Sequence, residues 1–147
     1  MTAAASTARG VARTCGLFGL VPFWALPAAL VVWPGRADLT VVVVSAYAAL
    51  ILSFLGGARW GMALRAAEPD PGVVALAMAP TLVAWGLLIV LHAAQRLQLF
   101  ALAAVLLLVG LWDLISPQAP AWYQRLRLLL TAGATSGLCL GALLLRR

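Results

Sequence analysis

The chain has 147 residues, of which 65% are hydrophobic and 10% charged, with a formal charge of +6 and a mean hydropathy of +1.05. An average soluble domain is about 45–50% apolar, so a water-soluble fold is excluded and most of the surface faces lipid. The positive charge comes from ten arginines, with lysine absent, and they sit mostly at the ends of apolar runs, where they act as membrane anchors and topology signals and offer no basic face to nucleic acid.

Residues 1–12 begin with Ala, Ser and Thr and show no periodic apolar face, so a disordered N-terminal tail is expected there. Residues 15–33 form the first span; the run is too long for a signal core, and no small-x-small cleavage site follows it. Pro22 and Pro27 each remove a backbone donor and predict a kink. After a turn at Pro34, Gly35, Arg36, Ala37 and Asp38, the second span runs over 39–64. Residues 66–72, with Glu68, Pro69, Asp70, Pro71 and Gly72, are the plainest loop in the chain. The third span covers 73–94 and holds Pro80 and Trp85; Gln95 and Arg96 read as a very short turn. The fourth span covers 97–115, Ser116 to Pro120 break it, Trp122 and Tyr123 mark an interface, and the fifth span covers 126–145. The expected fold is all-α: a polytopic membrane helical bundle of about five transmembrane helices, with residues 1–147 as one integral membrane domain. Short connections make sequential helices antiparallel neighbours.

An odd span count puts the termini on opposite sides. Arg9, Arg13, Arg65, Arg125 and Arg127 fall on the N-terminal side and Arg36, Arg96, Arg146 and Arg147 on the other; Arg59 joins the first group, which places the N-terminus inside. The lysine-free, Ala- and Leu-rich composition suggests GC-rich coding, and the expected location is a bacterial cytoplasmic (inner) membrane.

Arg59 lies inside the second span. A charge in hydrocarbon costs about 3 kcal/mol on insertion scales, so it faces protein, water or the nearest interface. The second and fourth spans run in the same direction, and Arg59 and Asp113 differ in depth by roughly 6 Å at 1.5 Å per residue. Thr81 and Thr131 fall at comparable depth on the same side, with Trp60 and Trp112 alongside. Two readings stand for this cluster: a snorkelling arginine beside a helix-end aspartate, or an ion pair or anion-binding pocket formed by Arg59, Trp60, Asp113, Trp112, Thr81 and Thr131. The tryptophans also fit an interfacial belt.

Small residues form two packing series. Ser45, Ala49, Ser53, Gly57 and Gly61 make a ridge on the second span whose glycine end lies nearly opposite Arg59, and Gly133, Gly137 and Gly141 repeat at a spacing of four on the fifth. Such series let membrane helices approach closely, inside a monomer or along a homodimer seam. Cys15 and Cys139 sit at different depths and read as small apolar packers, not as a disulfide.

The run Ser45-Ala46-Tyr47, then Ile51 through Gly61, the downstream run Pro120 through Arg127, Leu130-Thr131, and the Val21-Pro22-Phe23 step together resemble the uncharacterised bacterial and mitochondrial membrane family that includes transmembrane protein 69. The resemblance covers nearly the whole chain and implies a five-helix or similar membrane bundle without supplying a mechanism.

The residue inventory argues against an enzyme: His92 is the sole histidine and lies far from Arg59, no Ser/His/Asp set gathers on one side, and there is no phosphate loop. No metal site and no cofactor are expected. The expected function is a non-enzymatic membrane protein that binds a lipid or a membrane-protein partner, as an accessory or assembly factor. A homo-oligomer is an open partner choice. The alternative is a small oligomeric transporter or channel, which requires polar midplane residues and broken helices.

Overall fold

Leu50, Phe54, Val90 and Ile115 point outward, whereas Arg59, Gln98, Asp113 and Arg127 are buried. This inverts the distribution of a protein folded in water and fits a bundle solvated by lipid. The computed structural model describes residues 3–116 and 121–145. Its helices are α1 (Ala3–Phe18), α2 (Val21–Val32), α3 (Ala37–Leu64), α4 (Pro71–Leu76), α5 (Ala79–Val90), α6 (Gln95–Ile115) and α7 (Ala121–Leu144), with one 3-10 turn at Pro34–Arg36. Five stretches are long and apolar enough to cross a membrane: Thr7–Val32, Pro34–Leu64, Pro71–Val90, Gln95–Ile115 and Ala121–Leu144.

Two of the five are broken, each just ahead of a proline. Pro22 cannot donate to the carbonyl four residues back, and the chain departs from α-helix at Gly19 and Leu20. Phe23 N–H donates to the Leu20 carbonyl at 3.1 Å, and the Gly19 carbonyl left open accepts a hydrogen bond from the Tyr47 hydroxyl at 2.9 Å, as hydrocarbon requires of every backbone polar group. Pro80 acts in the same way, separating α4 from α5 at Ala77 and Met78. Pro27, by contrast, stays inside α2.

The connections are sealed by side chains that reach backbone groups at helix ends. Asp70 Oδ1 accepts from the backbone of Gly72 at 2.7 Å and caps α4. Gln98 donates to the Leu87 carbonyl at 3.1 Å, at the end of α5. Arg96 Nε donates to Ala142 at 2.9 Å, at the end of α7, and Gln124 donates to Leu114 at 3.2 Å, at the end of α6. Asp70 satisfies an open N–H at a helix start, and Arg96 and Gln124 satisfy carbonyls in the last turns of α7 and α6.

Helix packing closes a ring. α2 packs on α7, α7 on α6, α6 on α5, α5 on α3 and α3 back on α2, while α3 also meets α6 across the centre. The core holds Phe23, Leu26, Val41, Ala48, Leu52, Leu99, Leu102 and Leu138. Along α3 the buried positions Val41, Ala48 and Leu55, and Ser45, Leu52 and Arg59, recur at intervals of seven, the period of closely packed helices.

Four sequence expectations are corrected here. The N-terminal segment expected as a tail over 1–12 is helical from Ala3, because alanine extends an existing helix at little cost and needs no apolar face to do so. Gln95 and Arg96 are not a turn; they open α6, and the turn falls on residues 91–94. Arg127 is no loop-side anchor but is buried in the bundle. With Arg59 and Arg127 both committed to the interior, four arginines remain on each side, so charge asymmetry no longer orients the chain. The expected break at Ser116 to Pro120 lies, from 117 to 120, outside the described residues.

The small-residue ridge of α3 is also displaced by one position. A Cβ placed on Gly57 or Gly61 meets nothing within 4 Å, whereas one on Gly56 would come 2.6 Å from the Ala77 carbonyl oxygen. Ser53 is half-buried beside this face and not at its centre. The reason is the seven-residue repeat: it turns Gly56 and Arg59 inward together and leaves Gly57 and Gly61 outside the contact. The α7 series packs within the chain. Gly133 faces Leu20, a Cβ on Gly137 would lie 2.7 Å from the Phe23 carbonyl oxygen, and one on Gly141 would collide with Leu26.

Candidate functional site

Three helices bring charge to one point. Arg59 of α3, Asp113 of α6 and Arg127 of α7 are 4%, 3% and 5% exposed. Arg59 Nη1 donates to Asp113 Oδ1 at 3.1 Å, and Arg127 Nε donates to Asp113 Oδ2 at 2.6 Å. One carboxylate thus serves two guanidinium groups, and the cluster carries a net charge of +1. Arg59 Nη2 also donates to the Trp112 carbonyl at 3.3 Å. Its guanidinium carbon lies 4.0 Å from the centroid of the Trp112 ring, so a cation–π contact adds to the ion pair. Two buried donors in the cluster, Arg59 Nε and Arg127 Nη2, have no hydrogen-bond partner among the described residues.

Each residue arrives by a local rule. Arg59 follows Ser45 and Leu52 at intervals of seven. Asp113 continues the inward row Leu99, Leu102, Leu106, Val109 and Gly110 of α6. Arg127 heads the row Thr131, Ala134, Leu138 and Gly141 of α7. Close approach of α6 and α7 depends on Gly110, where a Cβ would stand 2.5 Å from the Thr131 hydroxyl oxygen. α6 and α7 therefore meet one turn from the ions.

Of the sequence candidates, the structure brings Arg59, Asp113 and Trp112 together, and Thr131 packs beside them on Gly110. Trp60 is 44% exposed and stands on the outer face. Thr81 packs near Gly56, its hydroxyl 3.5 Å from where a Cβ on that glycine would sit, and belongs to the contact between α3 and α5. Sequence reasoning missed Arg127 and Tyr123. The signal for Arg127 was present: it precedes Ala134 by seven and Gly141 by fourteen residues, on the face that α7 turns inward.

Arg127 also lines a groove of about 380 Å³ between α1, α2, α3, α6 and α7. The walls are largely apolar, with Leu20, Phe23, Ile51, Leu55, Leu106, Leu126, Leu130 and Ala134 among them. Tyr123, Arg127 and Thr131, four residues apart on α7, run a polar stripe along one wall. Phe54 lines the groove and is 70% exposed, so the groove reaches the lipid-facing surface. Its origin is the break at Gly19 and Leu20: α2 packs on both α3 and α7, while α1 beyond the break packs chiefly on α7. Cys15 is exposed in the α1 part of this wall. From Trp122 to Ala134 the α7 wall rises roughly 18 Å at 1.5 Å per residue, close to one leaflet of a core about 30 Å thick.

Comparison with known proteins agrees with this architecture. Residues 8–145 match the model of a family described as "Protein of unknown function (DUF3429)". Transmembrane protein 69 of Xenopus tropicalis is 36% identical over 132 residues, covering 84% of this chain and 50% of that protein. Transmembrane protein 69 of Mus musculus is 33% identical over 124 residues, covering 78% of this chain and 48% of that protein. The chain thus spans about half the length of these relatives. No solved structure matches it. The chain belongs to the DUF3429 family of multi-pass membrane proteins, which includes transmembrane protein 69.

Proposed function

We propose that this protein is a non-enzymatic accessory protein of the membrane that holds one amphipathic lipid molecule in the groove beside Arg127. The observation that carries the reading is the groove itself: apolar along most of its wall, open to the lipid-facing surface, and headed by Arg127. Ligand sites generally combine an apolar cleft with a few placed polar groups. A hydrocarbon chain fills the lower groove, and an acceptor group of the lipid, such as an ester carbonyl, lies at the level of Arg127 and Tyr123. The buried ions act as the fixed end of the site: Asp113 holds Arg127 from behind and Arg59 holds Asp113. The membrane we propose is a bacterial cytoplasmic one, on the lysine-free, Ala- and Leu-rich composition.

The transporter alternative has less support. A proton-coupled carrier exposes a carboxylate that can load and unload, and here both oxygens of Asp113 are engaged by arginines.

The test is native mass spectrometry of protein extracted in mild detergent. Wild type retains one lipid-mass adduct per chain, and Ile51→Trp, which fills the groove from its α3 wall, loses it while melting at the same temperature. Equal retention by both proteins contradicts the reading.

A further inference from the structure

A second concavity, of about 420 Å³, adjoins the groove and is lined by Arg9, Arg13, Trp122, Arg125, Leu126 and Leu129. Trp122 and Leu126 line both, so the two are neighbours along α7. Three arginines converge here from two helices, and none of the lining residues is acidic. The Arg9 guanidinium carbon lies 5.5 Å from the Trp122 ring centroid, which fixes one wall. Arg9 and Arg13 lie in the first two turns of the apolar stretch Thr7–Val32 and Arg125 in the first two turns of Ala121–Leu144, the ends of those stretches where headgroups would lie. Arg125 precedes Arg127 by two residues, or roughly 3 Å of rise.

The geometry points to an acidic glycerophospholipid as the occupant, with its phosphate held by Arg9, Arg13 and Arg125 and one acyl chain running down the groove. The inference rests on the lipid-holding reading above and adds the headgroup class. The order of chemistry along α7 matches that of the lipid: Arg125 nearest the helix start, Arg127 next, and the apolar wall of Leu130 and Ala134 beyond. Guanidinium groups suit phosphate because their planar donors engage two oxygens at once.

The experiment uses the full chain in mixed micelles with equimolar phosphatidylglycerol and phosphatidylcholine of matched acyl chains, read by native mass spectrometry. Wild type retains phosphatidylglycerol preferentially. A cationic side chain near an anionic headgroup contributes about fivefold in binding, so Arg13→Gln with Arg125→Gln lowers phosphatidylglycerol retention by about thirtyfold, and that of phosphatidylcholine, whose choline cation offsets its phosphate, by much less. Both arginines are exposed, and an unchanged melting temperature verifies the fold; the double Arg→Lys variant keeps most of the preference. A wild type that retains both lipids equally overturns the headgroup assignment and leaves the groove reading intact. A preference that survives in Ile51→Trp upholds the headgroup pocket and removes the groove. Inorganic phosphate in large excess leaves the preference in place if the site is for lipid; abolition by phosphate identifies a site for the free anion and overturns the lipid assignment.

Discussion

Arg127 Nε and Asp113 Oδ2 meet at 2.6 Å, and this contact joins the wall of an apolar groove to a charge cluster inside the bundle. Because Asp113 also receives Arg59 at 3.1 Å, the cluster has one more cation than anions. Its members are therefore not equivalent. Arg59→Met or Arg127→Met leaves a neutral pair, whereas Asp113→Asn leaves two arginines facing each other without a counter-charge. Breaking a buried pair costs on the order of 3–5 kcal/mol. Asp113→Asn is expected to reach that range in detergent unfolding, and each arginine variant to cost less. The Arg59→Met and Asp113→Asn double-mutant cycle should show coupling above about 0.5 kcal/mol. Additive behaviour, or an Asp113→Asn no worse than the arginine variants, counts against a shared carboxylate.

Adjacent glycines on α3 are expected to respond oppositely. A side chain at Gly56 runs into the Ala77 carbonyl, a backbone atom 2.6 Å from its Cβ position, while Gly57 has open space around it. Gly56→Leu should destabilise by about 1–3 kcal/mol or more through overpacking. Gly57→Leu should leave the melting curve of the monomer almost unchanged. Equal losses at the two positions would place a further helix against Gly57.

Much of the fold was legible because the spans are long and apolar, and because direction alone puts the ends of the second and fourth spans on one side. That was enough to bring Arg59 and Asp113 to similar depth, and they do pair. What failed was helical phase. A spacing of four from Ser45 leads to Gly57 and Gly61; the packed face instead follows a spacing of seven to Arg59, so the glycine that matters is Gly56. A fifth span begun at Leu126 puts Arg127 at a helix end and on the N-terminal side, yet α7 begins at Ala121. A helix that starts earlier turns Arg127 inward with Thr131. The groove was not legible at all, since it depends on α1 and α2 parting at Gly19 and Leu20 while α2 stays between α3 and α7.

Five spans require the termini on opposite sides. Reporter fusions at Thr2 and Arg147 should report opposite compartments. Matching signals would mean that one of the five apolar stretches does not cross, the broken stretch Pro71–Val90 being the first to re-examine.

The central claim is that one lipid occupies a defined groove and does not merely coat the bundle. The most direct measurement is photocrosslinking in bilayers with a phospholipid carrying a diazirine on its acyl chain, followed by mapping of the labelled residues. The account predicts label concentrated on the groove residues Ile51, Leu106 and Leu130, above the level found on the outward-facing Leu50, Leu108 and Leu128, and lost from the groove in Ile51→Trp at its other two positions. Label spread evenly over the outward faces, with the groove no richer than Leu50 or Leu108, would contradict it.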